Sequence, residues 1–148
     1  MRPSYRPSYR YRDEDGTATA FVVGFAIVLL ACAGLVIDGG TALNARMKLA
    51  DDVEQAARAG AQQIDLVALR QDNVVRLDPS GAEARANAYM SAIGYTNYGA
   101  HVVNCADGTP NACVQVAGQD TVPTTLLKLA GVPPFTIRAS ATAQAVTQ

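Results

Sequence analysis

The chain has 148 residues and a formal net charge of −1, so one modest folded domain with an anchoring segment is the natural expectation. Large core-forming side chains are scarce, since the sequence has no tryptophan and three phenylalanines. The basic residues after position 12 are scattered among acidic ones and form no stripe that could follow a phosphate backbone. Composition therefore excludes nucleic acid as a partner and predicts a small domain with a thin core.

The N-terminal segment, residues 1–16, is predicted to be a disordered basic cytoplasmic tail or leader. An Arg-Pro-Ser-Tyr sequence occurs twice in tandem, at residues 2–5 and 6–9, and is too short and proline-rich to fold. Its arginines, continued by Arg10 and Arg12, place this end in the cytoplasm by the positive-inside rule. A docking role towards a cytoplasmic partner or anionic headgroups is the alternative interpretation.

An apolar run without a charged residue follows, over residues 17–37. A helix needs about 20 apolar residues to cross the hydrocarbon core of a bilayer, and no other stretch of this chain supplies them. The run predicts a transmembrane helix over residues 17–37 and an extracytoplasmic domain over residues 38–148. The protein is therefore expected to be a single-pass protein of the cell membrane with a cytoplasmic N-terminus.

Two other interpretations of the apolar run involve Cys32. Ala31-Cys32-Ala33 resembles a signal-peptidase site, and Leu29-Leu30-Ala31-Cys32 resembles a lipobox in which Cys32 would be lipidated. The run continues past both sites through Leu35-Val36-Ile37 and is longer than the apolar core of a typical signal peptide. These features favour a retained helix over a lipoprotein or a secreted domain.

Residues 41–68 have the periodicity of an amphipathic helix. Its apolar face is marked by Leu49, Val53, Ala56, Gly60 and Ile64. Gly39 and Gly40 interrupt the continuity between the apolar run and this helix. Because a glycine weakens a helix interior by about 1 kcal/mol, the pair is a candidate hinge. A helix that runs through with a slight bend is the alternative.

The remaining sequence predicts an α+β fold with two shorter helices and about three strands. The elements are a helix that starts at the capping-box pattern Ser80-x-x-Glu83 and closes at Gly94, strands over 101–105 and 113–116, a helix over 121–130, and a strand over 135–145. The last strand alternates apolar and polar residues. We expect the long helix to pack with a small, mostly antiparallel sheet, although these signals do not determine the strand order.

Cys105 and Cys113 flank a turn-rich segment between two predicted strands. In an oxidising compartment, cysteines at the two ends of a hairpin loop are well placed for a disulfide, with two free thiols as the alternative. A metal site would need more ligands than His101 and this pair supply. The sequence thus predicts a disulfide and no metal site.

No catalytic constellation is visible in the sequence. His101 is the only histidine, and no activated serine or cysteine accompanies it. Asp38-Gly39-Gly40 lacks the strand, loop and lysine of a phosphate-binding motif. We therefore expect no enzyme activity, no cofactor and no small-molecule substrate.

Five motifs, in order, carry a family resemblance. They lie at residues 13–17 leading into Phe21, 36–40, 50–61, 121–124 and 139–143. Together they resemble the TadE/TadG-like family of Flp (tight adherence, Tad) pilus-assembly proteins. The resemblance implies a pilin-like or pseudopilin-like membrane protein with a structural or scaffolding role in a Tad/Flp-type pilus or secretion system.

The resemblance also implies partners and a processing site. The partners would be the membrane and other pilin-like Tad proteins, contacted through helix packing, for which Ala20-x3-Gly24 offers a small-residue spacing.

Family members with a pilin-type leader are cut after a glycine and usually carry a glutamate five residues later. The matching bond here is Gly16-Thr17, but the fifth residue is Phe21. This departure favours a permanently anchored assembly component. The alternative is a surface-anchored binding module or lipoprotein, lipidated at Cys32 and unrelated to pili.

Overall fold

A computed structural model of the protein describes residues 15–145. Its dominant element is a single helix, α1, which spans Asp15–Ala61. The sequence has no proline between Pro7 and Pro79, so nothing removes a backbone donor along this length. The apolar run (residues 17–37) and the first part of the predicted amphipathic helix therefore form one continuous element, which passes through Gly39 and Gly40 without a break.

The predicted end of this helix near residue 68 is wrong. α1 stops at Ala61, and a separate helix α2 follows at Leu66–Asp72. The side chain of Asp65 accepts hydrogen bonds from the backbone N–H groups of Val67 and Ala68, at 3.0 and 3.1 Å, and so caps a new helix. The apolar periodicity continues across this break, which is why it concealed the interruption.

Helix α3 spans Pro79–Ala92, where a helix was predicted, but its capping differs from the prediction. Asp78 is the N-cap and accepts from the backbone N–H of Ser80 over 3.2 Å. Glu83, predicted to complete a capping box with Ser80, instead accepts a hydrogen bond from the backbone N–H of Val102 over 3.1 Å. Glu83 thus connects α3 to the sheet.

The sheet has three antiparallel strands in the order β1-β2-β3. These are β1 (Asn97–Val103), β2 (Cys113–Val122) and β3 (Phe135–Gln144). β1 begins earlier and β2 ends later than predicted, whereas β3 matches its prediction closely. The predicted helix over 121–130 is largely wrong, because Thr121 and Val122 complete β2 and only a short 3-10 helix, Leu127–Ala130, follows.

The C-terminal half of α1 packs on one face of the sheet and against α3. The shared core consists mostly of small and medium side chains, including Leu49, Val53, Ala56, Ala82, Ala86, Met90, Val114 and Val116. Glycines permit the close approach, since an added Cβ at Gly118 would lie 3.1 Å from both Leu49 Cδ1 and Val53 Cγ1. The predicted α+β class, with a long N-terminal helix and a small antiparallel sheet, is confirmed.

Candidate functional site

The apolar run extends from the folded domain as a helix with exposed side chains. Within the described chain, α1 is the one helix long and apolar enough to cross a membrane. Its large side chains are exposed, Phe21 at 74% and Leu30 at 72%. Water would not favour so large a contiguous apolar surface, so this half of α1 fits a lipid or helix environment.

Asp38 ends the apolar run and is the centre of the candidate site. Its side chain is only 3% exposed, although it is the first charged residue after the run. Its carboxylate oxygens accept three backbone hydrogen bonds, from the N–H groups of Thr125 at 3.1 Å, Leu126 at 3.0 Å and Leu127 at 2.7 Å. A buried carboxylate is tolerated when its acceptor sites are satisfied in this way.

The donors belong to the β2–β3 loop (residues 123–134), which folds back along α1. An added Cβ at Gly34 would lie 3.2 Å from Leu126 Cβ, so this loop also contacts the helix one turn inside the apolar run. The Thr124 hydroxyl donates to the carbonyl of Val132 over 3.0 Å and draws the ends of the loop together. The loop therefore connects the sheet to the last turn of the apolar run.

The hydrogen bonds fix the protonation of Asp38. The N–H of Leu127 is the largest influence that lowers the pKa of the Asp38 carboxyl below its usual value of 3.8, and the N–H groups of Thr125 and Leu126 act in the same direction. Burial opposes them without reversing the shift. Asp38 is thus an ionised acceptor at neutral pH.

Gly39 and Gly40, the predicted hinge, lie directly beyond this contact. Both are helical, and an added Cβ at either would meet nothing within 4 Å. The β2–β3 loop contacts α1 at Gly34 and Asp38, which precede the two glycines, whereas the half of α1 that packs in the domain follows them. The loop therefore connects the two sides of the glycine pair, and a bend at the pair would strain or break the Asp38 hydrogen bonds. The hinge itself stays a prediction.

The disulfide between Cys105 and Cys113 is confirmed, with a Cα–Cα distance of 5.2 Å. Cys113 is the first residue of β2 and pairs with Val103 at the end of β1, so the bond closes the hairpin loop just beyond the last strand pair. Both cysteines and Ala112 are buried in a small cluster of their own. Cys32, the alternative lipidation site, is exposed on α1 and carries a free thiol.

The predicted processing bond lies in the first turns of α1. Gly16 and Thr17 are both exposed and helical. Nothing in the described chain contacts a Cβ added at Gly16. The cleavage stays a prediction, and the basic repeat that precedes it lies outside the described residues.

His101 lies on β1 with its side chain 78% exposed, and its Nδ1 is 3.9 Å from Glu83 Oε1. Residues 15–145 contain no cluster of three histidine, cysteine or acidic side chains arranged to hold a metal ion. The structure thus places His101 on the surface, in contact with α3.

Sequence reasoning missed the role of Asp38. It treated the residue as the start of the extracytoplasmic part and as one position of the 36–40 motif. The available signal was a single acidic residue between a long apolar run and two glycines, where a charge needs strong compensation. A second missed contact joins Tyr95 to Asp52, because the Tyr95 hydroxyl donates to Asp52 Oδ2 over 2.9 Å.

The family comparison falls on the helix that carries this site. Residues 16–63 match the model of the TadE/G-like Flp pilus-assembly family, a stretch that contains the apolar run, Asp38 and the packed half of α1. The motifs predicted at 121–124 and 139–143 lie outside the match. Neither the curated proteins nor the solved structures gave a match to the chain. Over residues 16–63, then, the chain is similar to the TadE/G-like Flp pilus-assembly family.

Proposed function

We propose that this protein is a membrane-anchored, pseudopilin-like component of a Tad/Flp-type pilus-assembly or secretion system, with a structural, scaffolding role. The family match links the chain to Flp pilus assembly. The main support for the finer proposal is the difference between the two halves of α1. The N-terminal half is apolar and exposed, whereas the C-terminal half packs in the core of a folded α+β domain. That division is what a protein needs if it holds a domain at a membrane surface.

The proposed arrangement has three parts. Residues 1–16 form a cytoplasmic tail, residues 17–37 cross the membrane, and residues 38–148 lie outside the cytoplasm. The tail arginines support this orientation by the positive-inside rule. The Cys105–Cys113 bond supports it independently, since disulfides persist in oxidising compartments and are rare in the cytosol.

A permanent anchor is favoured over a filament subunit by Phe21. Pilin-like subunits use a glutamate at the corresponding position, whereas this side chain is aromatic and 74% exposed on the apolar run. Phe21 stacks on Phe25 with ring centroids 6.3 Å apart, which adds apolar surface suited to lipid. The segment therefore has no carboxylate to pair with a neighbouring subunit in the membrane.

The proposed partners are other pilin-like Tad proteins, contacted through helix packing in the membrane. Gly24 has open space around it, since an added Cβ meets nothing within 4 Å, and Ala20 precedes it by one turn. Small residues at this spacing let two helices approach closely. The proposal gives the protein a contact role and no reaction, in line with a family of assembly components.

The test is deletion of the gene and restoration by three forms of the protein. We expect surface pili to be lost on deletion and restored by the full chain. An exported form lacking residues 17–37 should accumulate but fail to restore them, whereas a His101→Ala full chain should restore them fully. Normal piliation in the deletion strain would overturn the proposal.

A further inference from the structure

We propose that the β2–β3 loop is a second membrane contact, which inserts its leucines into the outer surface of the bilayer beside the apolar run. The proposal rests on the proposed membrane span and extends it to a site in the folded domain. It assigns this loop a lipid partner and makes the domain lie against the membrane.

The position of the loop along α1 is the first argument. Leu126 contacts the helix at Gly34, which is the one buried residue of positions 16–37. Gly34 precedes Asp38 by four residues, and a helix rises 1.5 Å per residue, so the loop reaches about 6 Å into the apolar run. If the run fills the hydrocarbon core, Leu126 already lies at its edge.

The side chains that the loop presents are the second argument. Leu129 is 88% exposed, the highest value among the large apolar side chains of the described residues, and Leu126 is 38% exposed. Pro133 and Pro134 are exposed in the same loop, and Lys128 is the single charged residue within 123–134. A lysine between leucines can keep its ammonium at the headgroups while the leucines enter the apolar layer.

The backbone of the loop is also suited to a lipid environment. Polar backbone groups cannot enter a lipid environment unless they are hydrogen-bonded within the protein. The N–H groups of Thr125, Leu126 and Leu127 donate to Asp38, and those of three further residues donate within the loop at 3.0–3.1 Å. These last pairs are Leu129 to Leu126, Gly131 to Lys128 and Val132 to Leu127.

Gly131 completes the compact turn because its φ of 79° is in the left-handed region that favours glycine. Asp38 is thus more than a helix residue with a buried carboxylate. It satisfies the donors of a segment that would otherwise need water, at the depth where water becomes scarce. Leucine exposure, depth and backbone satisfaction all fit a bilayer surface.

The test uses the absence of tryptophan from the sequence. Three single-tryptophan variants of the full chain, Leu129→Trp, Phe25→Trp and Val74→Trp, are placed in phosphatidylcholine vesicles whose acyl chains carry bromine near the headgroup or near the methyl end. Phe25 lies inside the apolar run, and Val74 lies beyond α2 and is 47% exposed, so they serve as inner and outer references.

We expect the tryptophan of Leu129→Trp to be quenched most by bromine near the headgroup, and that of Phe25→Trp most by deeper bromine. That of Val74→Trp should be quenched by neither and should emit at longer wavelength than the other two. Quenching for Phe25→Trp but not for Leu129→Trp would overturn the loop proposal while the span stands. Absence of quenching for Phe25→Trp would overturn the proposed span, and the loop contact with it.

Discussion

Asp38 Oδ2 lies 2.7 Å from the backbone nitrogen of Leu127, a residue 89 positions further along the chain. The contact joins the last turn of the apolar run to the loop between β2 and β3. It means that the domain is attached to the apolar helix twice, once through the continuous backbone of α1 and once through this side chain. The orientation of the domain relative to the apolar half of α1 is thus fixed in part by a polar contact, which substitution can remove.

Asp38→Asn should release the β2–β3 loop from α1. An amide has one oxygen in place of two and no charge, so it cannot accept all three N–H groups as strongly. We expect hydrogen exchange at Thr125, Leu126 and Leu127 to accelerate by about tenfold or more, the factor expected for loss of one charged hydrogen bond. Mass spectrometry of the full chain in detergent would measure it. The control is Asp51→Asn, an exposed position of the same helix, and equal exchange in the two variants would contradict the role of Asp38.

Replacing Gly39 and Gly40 together by alanine tests the predicted hinge. Neither added Cβ meets anything within 4 Å, and each alanine should stabilise the helix by about 0.5–1 kcal/mol. A hinge at this pair predicts a protein that reaches the membrane in normal amounts, as an immunoblot would show, but supports fewer surface pili, because the helix can no longer bend there. Full piliation would mean that the helix runs through these positions without a functional bend.

Gly118→Ala should destabilise the domain. The new Cβ would lie 3.1 Å from Leu49 Cδ1 and Val53 Cγ1, and overpacking of a closed core costs about 1–3 kcal/mol. Urea unfolding of the full chain in detergent micelles, followed by circular dichroism, would measure the change. Gly99→Ala is the matched control on β1, since its nearest neighbour would be His101 Nε2 at 3.8 Å, and it should change the free energy of unfolding by no more than about 0.5 kcal/mol. Equal effects of the two substitutions would contradict the packing described for Gly118.

Removing the disulfide should weaken the hairpin end of the sheet. The bond joins residues eight positions apart, and a loop of this length contributes roughly 2–3 kcal/mol on the chain-entropy model. We expect the Cys105→Ala/Cys113→Ala double variant to lose stability by about that amount, measured by the same urea unfolding under non-reducing conditions. Cys32→Ala, in the apolar run, should unfold like the parent, and an unchanged double variant would show that the bond is dispensable.

Tyr95 should contribute to the free energy of unfolding at neutral pH, and this contribution should be lost at high pH. Burial, followed by the hydrogen bond to Asp52, raises the pKa of Tyr95 from 10.0 to about 12. A group whose pKa is higher in the folded state stabilises the fold below its unfolded pKa and loses that effect as pH rises through the folded value. Between pH 10 and pH 12 the parent should therefore lose about 1 kcal/mol more than Tyr95→Phe, once solvent screening is allowed for. Identical curves for parent and Tyr95→Phe would contradict the contribution of Tyr95.

The elements that could be predicted from sequence are those that a local pattern dictates. α1 follows from an unbroken apolar run and a proline-free helical period, and β3 from strict alternation over residues 135–144. The end of α1 could not be read correctly, because the apolar period continues to Ile64 while the Asp65 side chain starts a new helix. Ser80 and Asp78 both have capping side chains, and only the geometry of the turn selects Asp78.

The hydrogen bonds between Asp38 and the β2–β3 loop could not be predicted for a different reason. Its donors are backbone N–H groups of a loop 87 to 89 residues away, and backbone donors have no signature in the sequence. The predicted helix over 121–130 even assigned those donors to a different structure. The disulfide could be predicted, by contrast, because both of its partners are visible as cysteines at the ends of one short loop.

The proposed function requires that the protein stays in the membrane and serves pilus assembly from there. The most direct test is the intact mass of the protein in two fractions of the same cells, the cell membrane and the filaments sheared from the surface. We predict a chain with its N-terminus at or near Met1 in the membrane fraction and none in the filaments. A chain that begins at Thr17 and is abundant in the filaments would contradict the claim, and a lipidated Cys32 at the N-terminus would favour the lipoprotein instead.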